Sequence, residues 1–357
     1  MKHIVVDARY VNRPGMGIHV YLNGLLSVLS KEDHKITLLV DTEVNNIVPA
    51  KQANIVILRS GSRIVWEQIL LPRFLKKCQP DLFIAPANFG MPLFYRKRDT
   101  KFVLVIHDFI PLHFPLTYLL KRPFYLGEFV LSVPISIYRS DLILANSQFT
   151  ANEVMRFFHK RAFNAYIPLS YKITPKKPVY HEDYFLYDSG SDPRKKVGTL
   201  IEGFHAFDDA HPGYKLFIMG KGYDKYQSMV KSRHYKNIVF LGYVSDAKKD
   251  TYTQNAQAMV TVSKMEGFGL PVIEAFCASV PVICSQNSAL QEVAGNAALY
   301  IESLTAAGVA TALAKFAELS VNAKQSLVDN GHKRVKFFNG FDSELLISQK
   351  INDLLSA

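Results

Sequence analysis

Cysteine is scarce in this chain: Cys78, Cys277 and Cys284 are the only three among 357 residues. They show neither metal-ligand nor redox spacing, which argues against a disulfide scaffold and points to a reducing compartment. A P-loop, a zinc pattern and a Ser-His-Asp set are all missing. The longest apolar stretch, Phe124 to Ile137, is interrupted by Glu128 and Pro134 and is too short to span a bilayer. The opening MKHIVVDARY runs directly into a strand-like segment with no basic and apolar leader, so a cytoplasmic protein is expected.

What the chain has is length, apolar content and basic charge. Its 357 residues suggest about two domains. The net charge of +11 is uneven, because residues 1–170 hold 21 Lys plus Arg against 12 Asp plus Glu. These cations sit beside apolar or aromatic residues at Pro72 to Lys77 (PRFLKK), at Phe94 to Arg98 (FYRKR) and at Lys121-Arg122 ahead of Phe124 and Tyr125. Such mixtures suit peripheral contact with an anionic membrane surface or a phosphorylated lipid. An ordinary solvated basic face is the competing reading. Nucleic acid is not expected as a partner, since no nucleic-acid-binding signature accompanies the charge.

Strand-like and helix-like segments alternate from the start. Strands are expected at His3 to Asp7, Lys35 to Asp41, Ile55 to Arg59, Asp81 to Pro86, Phe102 to Asp108 and Asp141 to Asn146. Helices are expected at Gly17 to Leu29, Ile64 to Lys77, Tyr118 to Tyr138 and Phe149 to His159. Continuous Val/Ile/Leu runs separated by helices imply a parallel sheet covered on both faces. Residues 1–170 therefore read as one doubly wound domain, and 171–183, rich in Pro and Lys and without periodicity, as a linker. A second alternating series over 184–340 implies a second Rossmann-like domain, and 341–357 a closing amphipathic helix. The fold class is α/β, with ligands expected in a cleft at the carboxyl ends of the strands.

The most informative stretch is SKMEGFGLPVIEAFCASVP, from Ser263 to Pro281. A short β-branched strand precedes it, Gly267 and Gly269 free the backbone, and Pro271 suits the first helical position. Backbone N–H groups at such a turn can receive a phosphate or a sugar oxygen. Glu266 and Glu274 flank the turn and can face the same crevice, although acidic residues also serve helix N-termini as plain caps. Three further constellations fall at strand ends. Arg194 and Lys195, in the turn DPRKK, offer a planar fork and a point charge that can neutralise a leaving diphosphate. His107 and Asp108 close an apolar strand, where His107 can hydrogen-bond a substrate hydroxyl or relay a proton. Gly15, Met16 and Gly17, between the first strand and helix, form either a tight turn or a close approach to substrate; the segment lacks the three glycines of a dinucleotide fingerprint. Ser147 reads as a helix cap.

At these residues the sequence resembles the retaining glycosyltransferases of the GT-B fold, family 4, over nearly the whole chain. The second domain carries a Glu-x7-Glu pattern as EGFGLPVIE, followed by SALQEVAG and NAALYIE. The first carries DARYVNRPGMGIHVY, WEQILLPRFL, APANFG, VIHDFIPLHFP and ANSQFT, which look like the mannosyl- and rhamnosyltransferase branch. The resemblance implies two Rossmann-like domains and a nucleotide-sugar donor held by the second. Glu274 takes the ribose hydroxyls, Glu266 and the backbone of Gly267, Phe268, Gly269 and Leu270 the sugar, and Arg194 with Lys195 the diphosphate. His107 then faces the reacting sugar near the Gly15 to Gly17 loop. No cofactor or metal is expected beyond the nucleotide-diphosphate sugar itself, and the acceptor is expected to be lipid-linked or a polysaccharide at the inner membrane face. A GT-B sugar-nucleotide epimerase and a non-catalytic sugar-nucleotide-binding protein are the alternatives. The chain departs from the family at Ser279, where Gly is usual, at Lys196, where Asn is usual, at Leu169-Ser170 and in the approach DSGSD.

Overall fold

The structure is a computed structural model that describes residues 1–13, 16–44, 53–95, 99–168, 171–174 and 183–356. It divides into two compact units, the first comprising Met1–Leu169 with Phe341–Ala357 and the second Ser170–Gly340.

The first unit is built on seven parallel strands: β1 (Lys2–Asp7), β2 (His34–Val40), β3 (Asn54–Ile57), β4 (Leu82–Ala85), β5 (Lys101–Ile106), β6 (Leu142–Ala145) and β7 (Phe163–Asn164). Their order is β3-β2-β1-β4-β5-β6-β7, so the direction of winding reverses between β1 and β4. Runs such as Ile4-Val5-Val6 and Leu82 to Ala85 are wholly buried, because helices cover both faces of the sheet. Phe83, Phe102, Phe109, Phe129 and Trp66 fill one side of it.

Local chemistry explains where this unit differs from the sequence pattern. The single helix expected at Tyr118 to Tyr138 is two, Pro115–Lys121 and Pro123–Arg139. Arg122 precedes a proline, whose ring disfavours helical backbone in the residue before it, and it adopts φ −148°, ψ 58°. The helix expected at Ile64 to Lys77 runs from Arg63 to Cys78 but widens into a π-turn over Trp66–Leu70. There the N–H of Leu71 reaches back five residues to the carbonyl of Trp66, and Trp66 and Glu67 become buried. The closing helix, Ser343–Ser356, belongs to this first unit. It packs on the helix Gly17–Leu29, buries Ile347 and Ile351, and bonds Glu32 through Asn352 at 3.3 Å.

The second unit holds β8 (Asp183–Asp188), β9 (Tyr214–Met219), β10 (Ile238–Gly242), β11 (Ala258–Thr261), β12 (Val282–Ser285) and β13 (Ala298–Ile301). The six strands are parallel in the order β10-β9-β8-β11-β12-β13, with the reversal between β8 and β11. Part of the expected linker is bound to this unit: the N–H of Tyr171 donates to Asn339 Oδ1 at 2.9 Å and that of Thr174 to the Cys277 carbonyl at 2.7 Å. Residues 175–182 of the linker, Leu169-Ser170 and Arg96 to Arg98 lie outside the described residues.

Two of the sequence departures fall where the backbone is left-handed. Ser279 has φ +60° and Lys196 φ +52°, conformations that glycine and asparagine adopt most readily. Ser279 compensates with its side chain, whose Oγ donates to the Thr174 carbonyl at 2.9 Å and lies 3.0 Å from His332 Nε2.

Candidate active site

The carboxyl ends of β8 and β11, beside the reversal of winding, bring Arg194, Lys195 and Glu266 together. Arg194 and Lys195 lie in a single 3-10 turn, Pro193–Lys195, started by Asp192, whose Oδ1 accepts the N–H of Arg194 at 3.1 Å. Glu266 follows β11. Its Oε2 is 3.0 Å from Arg194 Nη1, its Oε1 is ion-paired with Lys195 Nζ, and the same oxygen accepts a hydrogen bond from Ser263 Oγ at 2.7 Å. The N–H of Glu266 donates to Ser288 Oγ at 2.9 Å, which ties the loop to the helix Ser288–Ala294. Arg194 also donates to the Met265 carbonyl at 2.6 Å.

Burial pushes the Glu266 carboxyl up, but Lys195, Arg194 and Ser263 outweigh it and hold the group at about 2. Burial lowers Lys195, and Arg194 lowers it further, against the pull of Glu266. Two cations meet at one buried carboxylate, and Asp192, 3.7 Å from Arg194 Nε, adds a second, more exposed anion to the group.

Gly269 explains the turn between Glu266 and the next helix. It has φ +107°, and a Cβ there would stand 2.8 Å from Leu290 Cδ2. The helix begins one residue earlier than expected, at Leu270, with Pro271 still in its first turn. Phe268 is buried edge-to-face against Phe338 at 5.7 Å, so its side chain anchors the turn and leaves only its backbone for a ligand. Glu274, in this helix, does not join the Glu266 cluster. Its Oε2 accepts from Lys249 Nζ at 2.8 Å, and the same ammonium lies 2.9 Å from Asp188 at the end of β8. Burial raises the Glu274 carboxyl above its ordinary value, and Lys249 opposes that shift. Lys249 and Asp188 were not evident from sequence: Lys249 sits in a polar helix, Asp246–Asn255, beside another lysine, with no spacing that singles it out.

The remaining expected residues belong to the first unit. His107 follows β5 and is buried, with Nε2 2.8 Å from the Pro86 carbonyl and its ring edge-on to Tyr21. A carbonyl only accepts, so Nε2 carries the proton. Burial lowers the ring to about 4 despite this bond. A neutral imidazole with that value is a weak base near neutrality, so the proton relay loses its support; Nδ1 keeps the capacity to accept a hydroxyl hydrogen bond. Asp108 accepts from the Ile110 N–H at 3.0 Å, at the start of a short helix, Ile110–His113. Met16 flanks the helix that Gly17 begins, and Gly15 lies outside the described residues. Ser147 is the cap expected of it, accepting the Thr150 N–H at 3.1 Å.

The family model "Glycosyl transferases group 1" matches residues 173–334, and "Glycosyltransferase Family 4" matches residues 15–165. The chain belongs to the family 4-like glycosyltransferases of GT-B fold. The O-antigen chain mannosyltransferase B of Escherichia coli is 30% identical over 183 residues, covering 46% of this chain and 48% of that protein. The alignments with the curated relatives thus span about half of those proteins' length. Among solved structures, sucrose-phosphate synthase from Thermosynechococcus elongatus superposes with a TM-score of 0.80 at 17% identity, covering 100% of both chains. Anabaena HepE in complex with UDP-glucose superposes with a TM-score of 0.70 at 15% identity, over 98% of this chain and 100% of that one. Both likenesses are of fold.

Proposed function

We propose that the protein is a retaining glycosyltransferase moving a hexose, mannose or rhamnose, from a nucleotide-diphosphate donor to a lipid-linked or polysaccharide acceptor in surface-glycan synthesis. The observation that carries this reading is the pairing of both Arg194 and Lys195 with the one buried carboxylate of Glu266, beside a half-buried Asp192 that lies 3.7 Å from Arg194 Nε. A diphosphate arriving at Arg194 and Lys195 competes with Glu266 for the two cations and releases that carboxylate to accept hydrogen bonds from sugar hydroxyls. Glu274, paired with Lys249, takes the ribose. The UDP-glucose bound by HepE supports the donor class, and the O-antigen mannosyltransferase supports the sugar and the acceptor class.

Glu266 is engaged by two cations, which makes it a poor nucleophile, so retention is assigned to front-face attack. The acceptor oxygen bonds the anomeric carbon on the face from which the diphosphate departs. The bond from that carbon to the phosphate oxygen breaks, and the departing phosphate takes the acceptor's proton. Arg194 and Lys195 stabilise the charge that develops, the role a metal ion has elsewhere. Activity is therefore expected to survive a chelator, and its complete loss on adding one would overturn that part.

The experiment for the donor is a thermal-shift panel of nucleotide sugars. The cognate donor at about 100 times its Kd stabilises the fold by about 2.7 kcal/mol. A panel in which no nucleotide sugar shifts the transition refutes the donor assignment.

Contact with an anionic bilayer at the cytoplasmic face is part of the same proposal. No helix among the described residues is long and apolar enough to cross a membrane. Leu116, Leu120 and Phe124 are 74%, 83% and 89% exposed around the corner formed by Lys121 and Arg122. Arg73, Lys76 and Lys77 are exposed on the helix Leu71–Cys78. Vesicle binding is expected to weaken with salt and with Phe124→Glu; binding indifferent to both counts against the contact.

A further inference from the structure

Guanidinium groups converge on open space a second time, at the carboxyl end of β1. A cavity of about 280 Å3 there is lined by Arg9, Tyr10, Arg13, Asp41, Arg63 and Trp66, among others. Three segments supply these residues: the turn after β1, the end of β2, and the π-turned helix that follows β3.

The three arginines are not equivalent. Arg9 is fixed and neutralised, with Nε 2.9 Å and Nη2 2.7 Å from the two Asp7 oxygens and Nη2 2.9 Å from Glu67 Oε1. Its guanidinium lies 3.7 Å from the centre of the Trp66 ring and holds that indole in place. Arg63 stacks on Phe89 at 3.7 Å and meets Glu128 at 3.0 Å through Nη2, while Glu67 is more distant at 3.8 Å. Arg13 is exposed, stands over Tyr10 at 5.2 Å, and has no carboxylate partner among the described residues. Among the described residues lining the cavity three are cationic and one, Asp41, is anionic. The buried Trp66 Nε1 finds no acceptor among the described residues.

We propose that this cavity binds a phosphate or diphosphate group carried by the acceptor, with Arg13 and Arg63 taking its oxygens. The word acceptor rests on the transferase reading; the anion site does not. Guanidinium forks match phosphate geometry, and aromatic rings beneath Arg13 and Arg63 hold the forks in place, so little side-chain freedom is lost on binding. A neutral sugar would call for more carboxylates and amides than this lining offers.

The probe is inorganic pyrophosphate, titrated calorimetrically at low salt into the full chain carrying Lys195→Ala, which weakens competing binding at the donor site. Binding is expected to persist in that protein, and adding Arg13→Gln is expected to weaken it about tenfold, the scale of a charged hydrogen bond. Because Arg13 is exposed and has no carboxylate partner among the described residues, its variant should melt with the parent protein. Pyrophosphate affinity that is the same with and without Arg13 overturns the proposal. A second arm compares vesicles containing a lipid diphosphate with vesicles of equal charge lacking it. An Arg13-dependent preference for the former supports a group presented on lipid, and Arg13-dependent pyrophosphate binding without that preference supports a soluble phosphorylated acceptor. Failure of every nucleotide sugar to shift the wild-type melt, with Arg13-dependent pyrophosphate binding intact, refutes the donor assignment and leaves the anion site standing.

Discussion

Glu67 in the first unit and Glu266 in the second are both buried at the carboxyl end of a parallel sheet, and both meet arginine. Their protons nevertheless respond in opposite directions. Burial raises Glu67, and Arg9 and Arg63 do not cancel it, partly because Asp7 adds a like charge and shares Arg9. Burial is also the largest influence on Glu266, but Lys195 and Arg194 act on that carboxylate together and reverse the sign. In the first cluster Asp7 and Glu67 share Arg9, and the group holds a wall in place. In the second, Glu266 receives both Lys195 and the Nη1 of Arg194, while Asp192 stands 3.7 Å from Arg194 Nε, and the carboxylate that meets two cations is the one whose proton is held below the ordinary value.

The largest test of this contrast is activity. Glu266→Gln should reduce transfer by about a thousandfold, measured as kcat/KM on folded protein, since it removes the partner of both cations and the acceptor of the sugar's hydroxyls. Glu67→Gln should act on stability and leave kcat/KM largely unchanged, because Glu67 is bonded within the cluster that fixes Arg9, which keeps its two bonds to Asp7. Equal losses of activity in the two variants would erase the distinction. Next comes Lys249→Met, expected to raise the donor KM about tenfold with kcat little changed, as befits one charged contact. The loss should deepen as pH falls, since Glu274 then protonates more readily than it does beside Lys249. A KM that rises equally at every pH would mean that Lys249 touches the donor itself.

The smallest effect lies in the pH dependence of stability. A carboxyl held below its ordinary value contributes stability above that value and loses it as pH falls through the folded one. The stability difference between wild type and Glu266→Gln should therefore shrink as pH falls from about 4.5 to about 2. Glu67 is raised, so its contribution is greatest below the ordinary value and declines as pH climbs through the folded one. Chemical denaturation of both variants across acid pH reads the two signs directly, and parallel curves would contradict the comparison.

Much of the fold is legible in the chain because parallel strands buried on both faces leave long Val/Ile/Leu runs, and these mark β1, β4, β5 and β11 with little ambiguity. Individual members of the candidate site are legible for a similar reason: a polar residue in the turn after such a run stands at the carboxyl edge of the sheet, as His107 does directly after β5 and as Arg194 and Glu266 do in the turns after β8 and β11. Their pairing is not. Lys195 and Glu266 are 71 positions apart, and no local pattern records that an ammonium and a carboxylate meet. Lys249 escaped because its helix is polar throughout. Glu67 and Arg9 escaped because each reads as an ordinary surface charge until the π-turn and the end of β1 bury them together. The break at Arg122 was available in the Arg122-Pro123 dipeptide, where an apolar run on either side suggested a single helix.

The last helix has a consequence for how this protein can be taken apart. Since Ser343–Ser356 completes the core of the first unit, the second is an insertion, a continuous stretch cut out by two breaks in the chain. An exchange of this stretch needs two junctions and leaves the pieces of the first unit's core unchanged. The first unit can be isolated only by splicing its two distant pieces, so under the proposed function an exchange of donor between relatives is carried by the inserted half alone.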